Sequence, residues 1–468
     1  MRFLFLFFTL VFSAGAACIK GNCQNGTGTF QFADGGSYTG SFTSGTPNGK
    51  GTIKFVNKDS YTGQINMGVI EGKGIYTYAN GDKYSGEFTA GIYQGSGSYQ
   101  WQTGHSFNGT YKDGKREGQG TFSWPDGTFY TGEFKAGLLE GKGQIFAGGT
   151  IVFQGNFAAD QKNGRGKETS AEGDQYEGDF KDGNYHGPGK FVSAHGHIFT
   201  GNFIEGEING KGVLQMSNGD RYDGEFLAGK RHGDGVYKWK NGDIYTGGWK
   251  DDEKHGRGYE KQADGSTYDG EYKNDYFDGV GTFTLVDGTK YIGQWKEGQR
   301  HGKGKIVFSN GDVYEGGFLE GRRHGQGTLI WKSGTKYIGE WQDGKRHGKG
   351  DMIWVNHNRF SGEWQDDMRH GQGKIIYKDG GYYEGAYRDD KKHGKGKEVF
   401  ANGDIYTGQF EEGDAHGQGE YRSKNGDVFV GTYKNNKKEG PGKLTTANGK
   451  VINGIWQDDS LVSEQKPE

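Results

Sequence analysis

Aromatic residues recur along the chain at a fixed interval of 23 residues, from Tyr38 to Phe429. Each is followed two residues later by Gly, and two residues further on by a second aromatic residue, for which Ile65 is the one substitute. In the sequence YIGEW at 337–341, Tyr, Gly and Trp therefore share one face of an extended chain, while Ile and Glu share the other. The same alternation returns at 348–354. This period of two predicts that each unit is a hairpin of two short strands.

Glycine marks both the turns and the strands of this pattern. Asn-Gly and Asp-Gly steps in the turn between units, such as Asn310-Gly311, predict type I′ hairpin turns. Glycines inside the strands leave room for aromatic rings to lie over the backbone. They do not indicate a nucleotide site, because the GxxxxGK(S/T) spacing of a phosphate-binding loop is absent.

Composition narrows the class of protein. Glycine supplies 93 of the 468 residues and proline only 5, without the Gly-X-Y period of collagen. Aromatic residues reach 15%, a content that disordered chains avoid. The net charge of −3 indicates no bulk attraction to nucleic acid, so we expect no nucleic-acid partner.

The sequence YIGEWQDGKRHGKG at 337–350 resembles the MORN repeat (membrane occupation and recognition nexus), whose pattern runs Tyr-x-Gly-Glu-Trp and then Gly-x-x-His-Gly-x-Gly. The resemblance covers residues 38–456, as about 18 tandem units in strict register, with a half unit before them at 18–37. It implies an all-β fold, namely an elongated, single-layer antiparallel β-sheet ribbon of β-hairpin repeats. The short polar tail at 457–468 is expected to be disordered.

Some units depart from this pattern. Early units replace the His by Asn48, Glu71, Gln94 and Glu117. Polar residues replace apolar ones in two second strands, which predicts looser packing in those hairpins; they are Glu168, Ser170, Glu260 and Gln262.

Nine histidines occupy one position of the unit. Neighbouring units advance by about 10 Å along the expected sheet, which is too far for two rings to share one metal ion. We therefore predict no metal site and a ring that hydrogen-bonds across its own turn. The nine are His186, His232, His255, His301, His324, His347, His370, His393 and His416.

The N-terminus is typical of a secretory signal peptide. Arg2 precedes the apolar run at 3–12, and small residues follow up to residue 17. The run is too short to cross a bilayer as a helix. Residues 1–17 are therefore expected to be removed from an exported protein, located in the periplasm, at the outer membrane or cell surface, or secreted.

Cys18 and Cys23 are the two cysteines of the chain, and they directly follow this segment. In one interpretation Cys18 is the lipid-modified first residue of a lipoprotein, although no large aliphatic residue begins the expected lipobox. In the other, the two cysteines form a disulfide in an oxidising compartment, with a turn at 20–22 between them. The sequence leaves both open, with two free thiols as the third alternative.

Basic residues accumulate beside the histidines in the later units. Successive hairpins would place these residues on one edge of the sheet, where they form a candidate site for acidic lipid head groups, polyanionic glycans or an acidic partner. Alternatively, charge on this edge prevents the addition of further strands. The basic edge comprises Lys230, Arg231, Arg300, Arg322, Arg323, Lys345, Arg346, Arg369, Lys391 and Lys392.

An apolar stripe interrupts the polar face of the same units. A contiguous apolar stripe on a polar face marks a candidate contact surface for a partner, although recent duplication of one unit would also produce it. Its members are Ile292, Val307, Ile330, Ile338, Ile353, Ile376 and Val399.

These features favour a non-enzymatic scaffold or binding protein of the cell envelope. No set of nucleophile, base and orienting residue stands out, so we expect no cofactor and no small-molecule substrate. A single-layer sheet leaves its aromatic face without a second layer, which predicts a protein partner or a homodimer. The alternative function is peripheral binding to acidic membrane lipids through the basic edge. The dimer contact is expected in the C-terminal units, with Trp341, Trp354, Trp364 and Trp456.

Overall fold

The computed structural model describes residues 15–465, and its fold is all-β. Forty antiparallel strands belong to one sheet, and no helix occurs in the part of the chain that is described. This confirms the predicted fold class of tandem β-hairpins. The signal-peptide assignment falls mainly on residues 1–14, which lie outside the described residues. Within the described range, no helix is long and apolar enough to cross a membrane.

The chain divides into two compact units, the first ending at Lys230 and the second beginning at Arg231. In the first unit the strands are β1 (Ala17–Gly21), β2 (Gly26–Gln31), β3 (Ser37–Thr43), β4 (Thr46–Lys54), β5 (Ser60–Asn66), β6 (Val69–Thr77), β7 (Lys83–Thr89), β8 (Ile92–Gln100), β9 (Ser106–Lys112), β10 (Lys115–Ser123), β11 (Phe129–Lys135), β12 (Leu138–Ala147), β13 (Thr150–Ala158), β14 (Gln161–Thr169), β15 (Gln175–Lys181), β16 (Asn184–Val192), β17 (Ile198–Ile204), β18 (Glu207–Gln215) and β19 (Arg221–Leu227).

In the second unit, whose first strand begins one residue before the division, the strands are β20 (Lys230–Lys238), β21 (Ile244–Lys250), β22 (Glu253–Lys261), β23 (Thr267–Lys273), β24 (Tyr276–Thr284), β25 (Lys290–Lys296), β26 (Gln299–Val307), β27 (Val313–Leu319), β28 (Arg322–Ile330), β29 (Lys336–Gln342), β30 (Lys345–Ile353), β31 (Arg359–Gln365), β32 (Met368–Ile376), β33 (Tyr382–Arg388), β34 (Lys391–Val399), β35 (Ile405–Glu411), β36 (Asp414–Arg422), β37 (Val428–Lys434), β38 (Lys437–Thr445), β39 (Val451–Gln457) and β40 (Ser460–Gln465).

The type I′ turns lie inside the repeats, and between repeats only the two-residue turn Gly148-Gly149 of the described chain has two left-handed residues. Asp343 and Gly344, which join β29 to β30, both have left-handed backbones, with φ of 50° and 85°. At the predicted Asn-Gly step only Gly311 is left-handed, and its N–H donates to the Phe308 carbonyl at 2.9 Å. This is a three-residue hairpin loop, in which only the last residue needs a positive φ. The predicted turn type was therefore wrong at that step.

Glycines of adjacent strands stand opposite one another and form the seat for an aromatic ring. Gly339 pairs with Gly350 across β29 and β30, and the Tyr337 ring lies against both, so that a Cβ at either position would collide with it. The Tyr337 hydroxyl donates to the Glu340 carbonyl at 2.9 Å. The prediction that rings lie over glycine is confirmed.

The rings also cover one another from repeat to repeat. The Tyr337 ring meets Trp341 of its own strand at 5.2 Å and Trp364 of the next repeat at 5.4 Å, both edge to face. Such contacts are the favoured geometry for aromatic pairs. Tyr337 is fully buried, and the two Trp side chains are 3% and 4% exposed. The premise that ring edges stay wet was therefore wrong for these rings, because the chain buries them itself. The homodimer or protein partner stays a prediction.

The C-terminal tail continues the pattern of hairpins. Asp458 and Asp459 form a left-handed turn, and β40 then pairs with β39. The expected disorder of the tail was wrong for the described residues up to 465. The same two-residue turn that joins strands elsewhere operates here.

Candidate functional site

The basic edge contains four pairs of adjacent basic residues: Lys230-Arg231, Arg322-Arg323, Lys345-Arg346 and Lys391-Lys392. The second residue of each pair does not lie in solvent. The Arg346 guanidinium lies 4.4 Å from the centre of the Trp364 ring, a cation–π contact. It also donates to the Asp367 carbonyl at 2.7 Å and to the Asp367 carboxylate at 2.9 Å. Arg369 repeats this arrangement with Asp390 and with the Tyr387 ring at 5.2 Å. These arginines are half-buried parts of the aromatic layer.

Other cations of the edge reach the rings with different partners. Arg323 lies 4.0 Å from the Trp341 ring and donates to the Gly344 carbonyl at 2.6 Å. Burial lowers the pKa of its guanidinium, but a guanidinium stays charged at any ordinary pH. Lys392 lies over Tyr383 and forms an ion pair with Glu398. Arg231 and Arg300 also lie over aromatic rings.

Ion pairs likewise fill the two hairpins that were expected to be loosely packed. The Glu168 carboxylate pairs with Lys162, and Lys162 lies over the Phe153 ring at 4.9 Å. The Glu260 carboxylate accepts from Lys254 at 2.5 Å and from the Tyr272 hydroxyl at 3.2 Å. Each carboxylate thus reaches a partner over the aromatic layer. The expectation of loose packing there was wrong, because the acid and the lysine stem together replace the apolar side chain.

The first residue of each basic pair remains exposed, and three of the four have an acidic neighbour. Lys345 lies 3.2 Å from the Asp366 carboxylate, and Arg322 lies 3.3 Å from Asp343. Lys391 lies 2.6 Å from the Glu412 carboxylate. Lys230 is also exposed. The edge therefore carries alternating charge, and the second residues belong to the aromatic layer.

The position of the histidines links one repeat to the turn of the next. Where a polar residue replaces His, its side chain accepts from the backbone N–H of the following type I′ turn, as Glu71 does from Ala90 at 3.0 Å. His370 faces the same place, with its Nδ1 3.6 Å from the Asp389 carboxylate. The predicted bond across the ring's own turn is therefore wrong for His370, whereas His416 does contact Glu411 of its own hairpin at 3.4 Å. No group of three or more potential metal ligands occurs in the described residues.

The apolar stripe is a row of cross-strand neighbours on the face opposite the rings. Val307 pairs with Val313, and Val313 pairs with Ile330. Further along, Ile353 and Ile376 both pair with Arg359. Ile330 and Ile376 are 41% and 45% exposed. We call this the outer apolar row; it consists of Val307, Val313, Ile330, Ile353, Ile376, Tyr382, Val399 and Ile405.

Two predicted members of the stripe lie outside this row. Ile292 pairs with Lys305, and Ile338 pairs with Asp351, in a neighbouring row of mostly polar residues. Three members of the row were not predicted, namely Val313, Tyr382 and Ile405. The alternation of the sequence indicates their position, since each stands immediately before the first aromatic residue of its repeat and therefore on the outer face.

Cys18 and Cys23 form a disulfide in the structure, with their Cα atoms 5.9 Å apart. The bond closes the turn between β1 and β2. A sulfur in this bond is not available for acylation, so the two interpretations of Cys18 exclude one another in any one molecule.

The repeat pattern matches a known family along nearly the whole chain. The MORN repeat matches nineteen consecutive segments, beginning with residues 22–37 and 38–60 and ending with 429–451. The chain belongs to the MORN-repeat family. The first of these segments is the predicted half unit, so this MORN array begins within the N-terminal hairpin. None of the curated proteins compared with the chain matches it.

Solved structures resemble parts of this MORN protein at low overall similarity. The SAS-4 TCP domain of Drosophila melanogaster, in complex with a proline-rich motif of Ana2, is 14% identical with a TM-score of 0.22; the match covers 38% of this chain and 90% of that one. The TCP10 domain of Danio rerio CPAP, in complex with a STIL peptide, is 11% identical with a TM-score of 0.26, covering 51% and 95%. At these scores the likeness carries no argument about function.

Proposed function

We propose that the protein is a non-enzymatic scaffold of the cell envelope, which docks a protein partner through the outer apolar row. The single observation that carries the proposal is this row, in which half-exposed aliphatic side chains cross successive strands of the second unit. A contiguous apolar patch on a polar face is the usual mark of a contact surface.

Cations within the row indicate the chemistry of the partner. Lys336 stands between Ile330 and Ile353, and Arg359 stands between Ile353 and Ile376. A partner segment that carries apolar and acidic side chains would complement both. MORN repeats supply the regular sheet on which such a surface is presented.

The cell-envelope location belongs to the same proposal and rests on the N-terminal sequence. Its test is the intact mass of the protein from its native host. Loss of residues 1–17, or nearly so, supports export, and an unprocessed N-terminus overturns it. An acylated Cys18 would select the lipid anchor over the disulfide.

The docking proposal is tested by replacing Ile330, Ile353 and Ile376 with Thr, which keeps β-branching and removes apolar surface. The control replaces Thr328 and Thr407 of the neighbouring row with Ser. We expect immobilised wild type and control to retain the same protein from envelope extract, and the Ile variant to lose it. Equal retention by all three overturns the proposal.

Acidic lipid binding through the basic edge is the second outcome to be tested. Replacing Lys345 and Lys391 with Gln removes exposed cations without disturbing the arginines that lie over the rings. Salt-sensitive binding of wild type to phosphatidylserine vesicles, lost in this variant, would favour the membrane function. The alternating charge of the edge leads us to expect little binding.

A further inference from the structure

A groove crosses the strands on the outer face of the first unit. Its floor is formed by glycines of four neighbouring strands, Gly132, Gly143, Gly155 and Gly166, and its volume is about 870 Å³. Because the rings occupy the other face of these glycines, the groove is separate from the aromatic layer. It also lies in a different unit from the outer apolar row.

Polar side chains form one wall of the groove, and they are uncharged on β11 to β13. Thr131 pairs with Gln144 across β11 and β12, and Gln144 pairs with Gln154 across β12 and β13. The same row continues with Lys167 and Glu177, which form an ion pair. Among the described residues, no hydrogen bond occupies the side-chain amides of Gln144 and Gln154. Each amide offers two donors and one acceptor oxygen, so this wall presents closely spaced donors and acceptors to the groove.

The opposite wall mixes signs of charge. Glu133 lies on β11, and Lys142 pairs with Asn156 across β12 and β13. An acid, a base and an amide side by side do not select a polyanion or a polycation. They suit a neutral ligand rich in groups that both donate and accept hydrogen bonds.

A stacked pair of aromatic rings flanks the uncharged part of this wall. Phe129 and Phe146 are cross-strand partners whose rings stack at 4.5 Å between centres, with 7° between their planes. They stand two residues from Thr131 and Gln144, and therefore on the same face of the sheet. The corresponding residue one strand earlier is Ser123, so the pair is a local departure from a polar row.

This combination fits a sugar chain. A pyranose ring has an apolar C–H face that packs on an aromatic ring, and a rim of hydroxyls that both donate and accept hydrogen bonds. Strands are about 4.8 Å apart, so equivalent residues of successive repeats recur every ~10 Å, a length that two sugar rings of an extended chain span. An extended peptide is disfavoured, because β11 to β14 are paired on both edges and have no free edge for strand addition.

We propose that this groove binds a neutral β-linked polysaccharide, with the chain running across the strands and one sugar packed on the face of the Phe129 ring that Phe146 does not cover. The inference does not rest on the docking of a protein partner, since it concerns other residues in the other unit.

The test uses the full mature chain in native gels that contain hydroxyethyl cellulose, mixed-linkage β-glucan or glucomannan, and in sedimentation with insoluble chitin. We expect at least one polymer to retard or sediment the wild type. A double variant, Phe129→Ser with Phe146→Thr, should weaken that binding tenfold or more. Because this change alters packing, a second double variant, Gln144→Ala with Gln154→Ala, tests the wall separately and should weaken binding several-fold.

The matched control is the double variant Ile330→Thr with Ile376→Thr, which should bind the polymer as the wild type does. A wild type that binds none of the four polymers overturns the proposal. So does binding that both groove variants retain in full, or binding that the control loses to the same extent.

Discussion

The second residue of the second strand covers the aromatic ring in two different ways in different repeats, and both ways occur in each unit. In the first unit Tyr93 stacks on Tyr84, with 3.7 Å between ring centres and 13° between planes. In the second unit Arg346 occupies the equivalent position, 5.8 Å from the Tyr337 ring and 4.4 Å from Trp364. A neutral ring and a cation thus serve as alternative covers for one aromatic layer.

The two covers differ in what they require from the next repeat. In both, a backbone N–H of the following turn donates to the carbonyl of the covering residue, from Gly114 to Tyr93 at 3.0 Å and from Asp367 to Arg346 at 3.0 Å. An arginine cover also donates from its guanidinium to a backbone carbonyl of that turn, Gly344 for Arg323 and Asp367 for Arg346, and Arg346 donates to the Asp367 carboxylate as well. A basic residue in such a sequence is therefore an edge charge or a packing element according to its place in the register.

High pH should disrupt the packing of the buried tyrosines, which both units contain. Burial raises the pKa of Tyr130 in the first unit and of Tyr314 in the second to about 12, against about 10 in an unfolded chain. The folded state then holds these protons more tightly, so their stabilisation is complete below pH 10 and is lost as pH rises toward about 12. We expect cooperative loss of β structure in that window, followed by circular dichroism and tyrosinate absorbance.

A Tyr314→Phe variant removes one such group and should lose less stability over the same window. Ionisation of the Tyr314 hydroxyl near pH 10 with the sheet intact, measured as the difference in tyrosinate absorbance between the wild type and Tyr314→Phe, would contradict this account of the buried hydroxyls.

Adding a side chain at a glycine beneath an aromatic ring should destabilise the repeat that contains it. In Gly350→Ala the new Cβ would collide with the fully buried Tyr337 ring. Overpacking of this kind costs about 1–3 kcal/mol. The control is Gly344→Asn, at a left-handed turn position with open space around it, where a related turn naturally has Asn436. We expect the control to change the free energy of unfolding by less than about 1 kcal/mol, as measured by urea titration. If Gly350→Ala loses no more stability than the control, the packing of the Tyr337 ring does not depend on glycine at this position.

Replacing Arg346 should show how much a cationic cover of the aromatic ring contributes to the free energy of unfolding. Arg346→Gln loses the ring contact and the bonds to Asp367, and we expect a loss of about 1–3 kcal/mol. Its neighbour Lys345, paired on the surface with Asp366, should lose at most about 1 kcal/mol in Lys345→Gln. Thermal and urea unfolding of the two variants measure the difference. Equal losses of stability in the two variants would show that Arg346 contributes no more than a surface charge does.

The sequence predicts the repeats, the strands and the ring-over-glycine packing because all three depend on contacts within one hairpin. The direction of Arg346 depends on Asp367, which lies in the next hairpin, and local alternation does not reveal it. The outer apolar row was found only in part, although the alternation already places Val313 on the outer face, where it pairs with Val307 and Ile330. The groove of the first unit was not predicted, because residues of four consecutive repeats line it.

The most direct test of the cationic cover is a double-mutant cycle between Arg346 and Trp364, with Arg346→Gln and Trp364→Leu. The free energy of local opening of β30 and β31, from native-state hydrogen exchange, suits a repeat array that need not unfold in one step. The account predicts a coupling of about 1–2 kcal/mol for this pair, and at most about 0.5 kcal/mol for Lys345 with Asp366. Equal couplings for the two pairs, or none for Arg346 with Trp364, would contradict it.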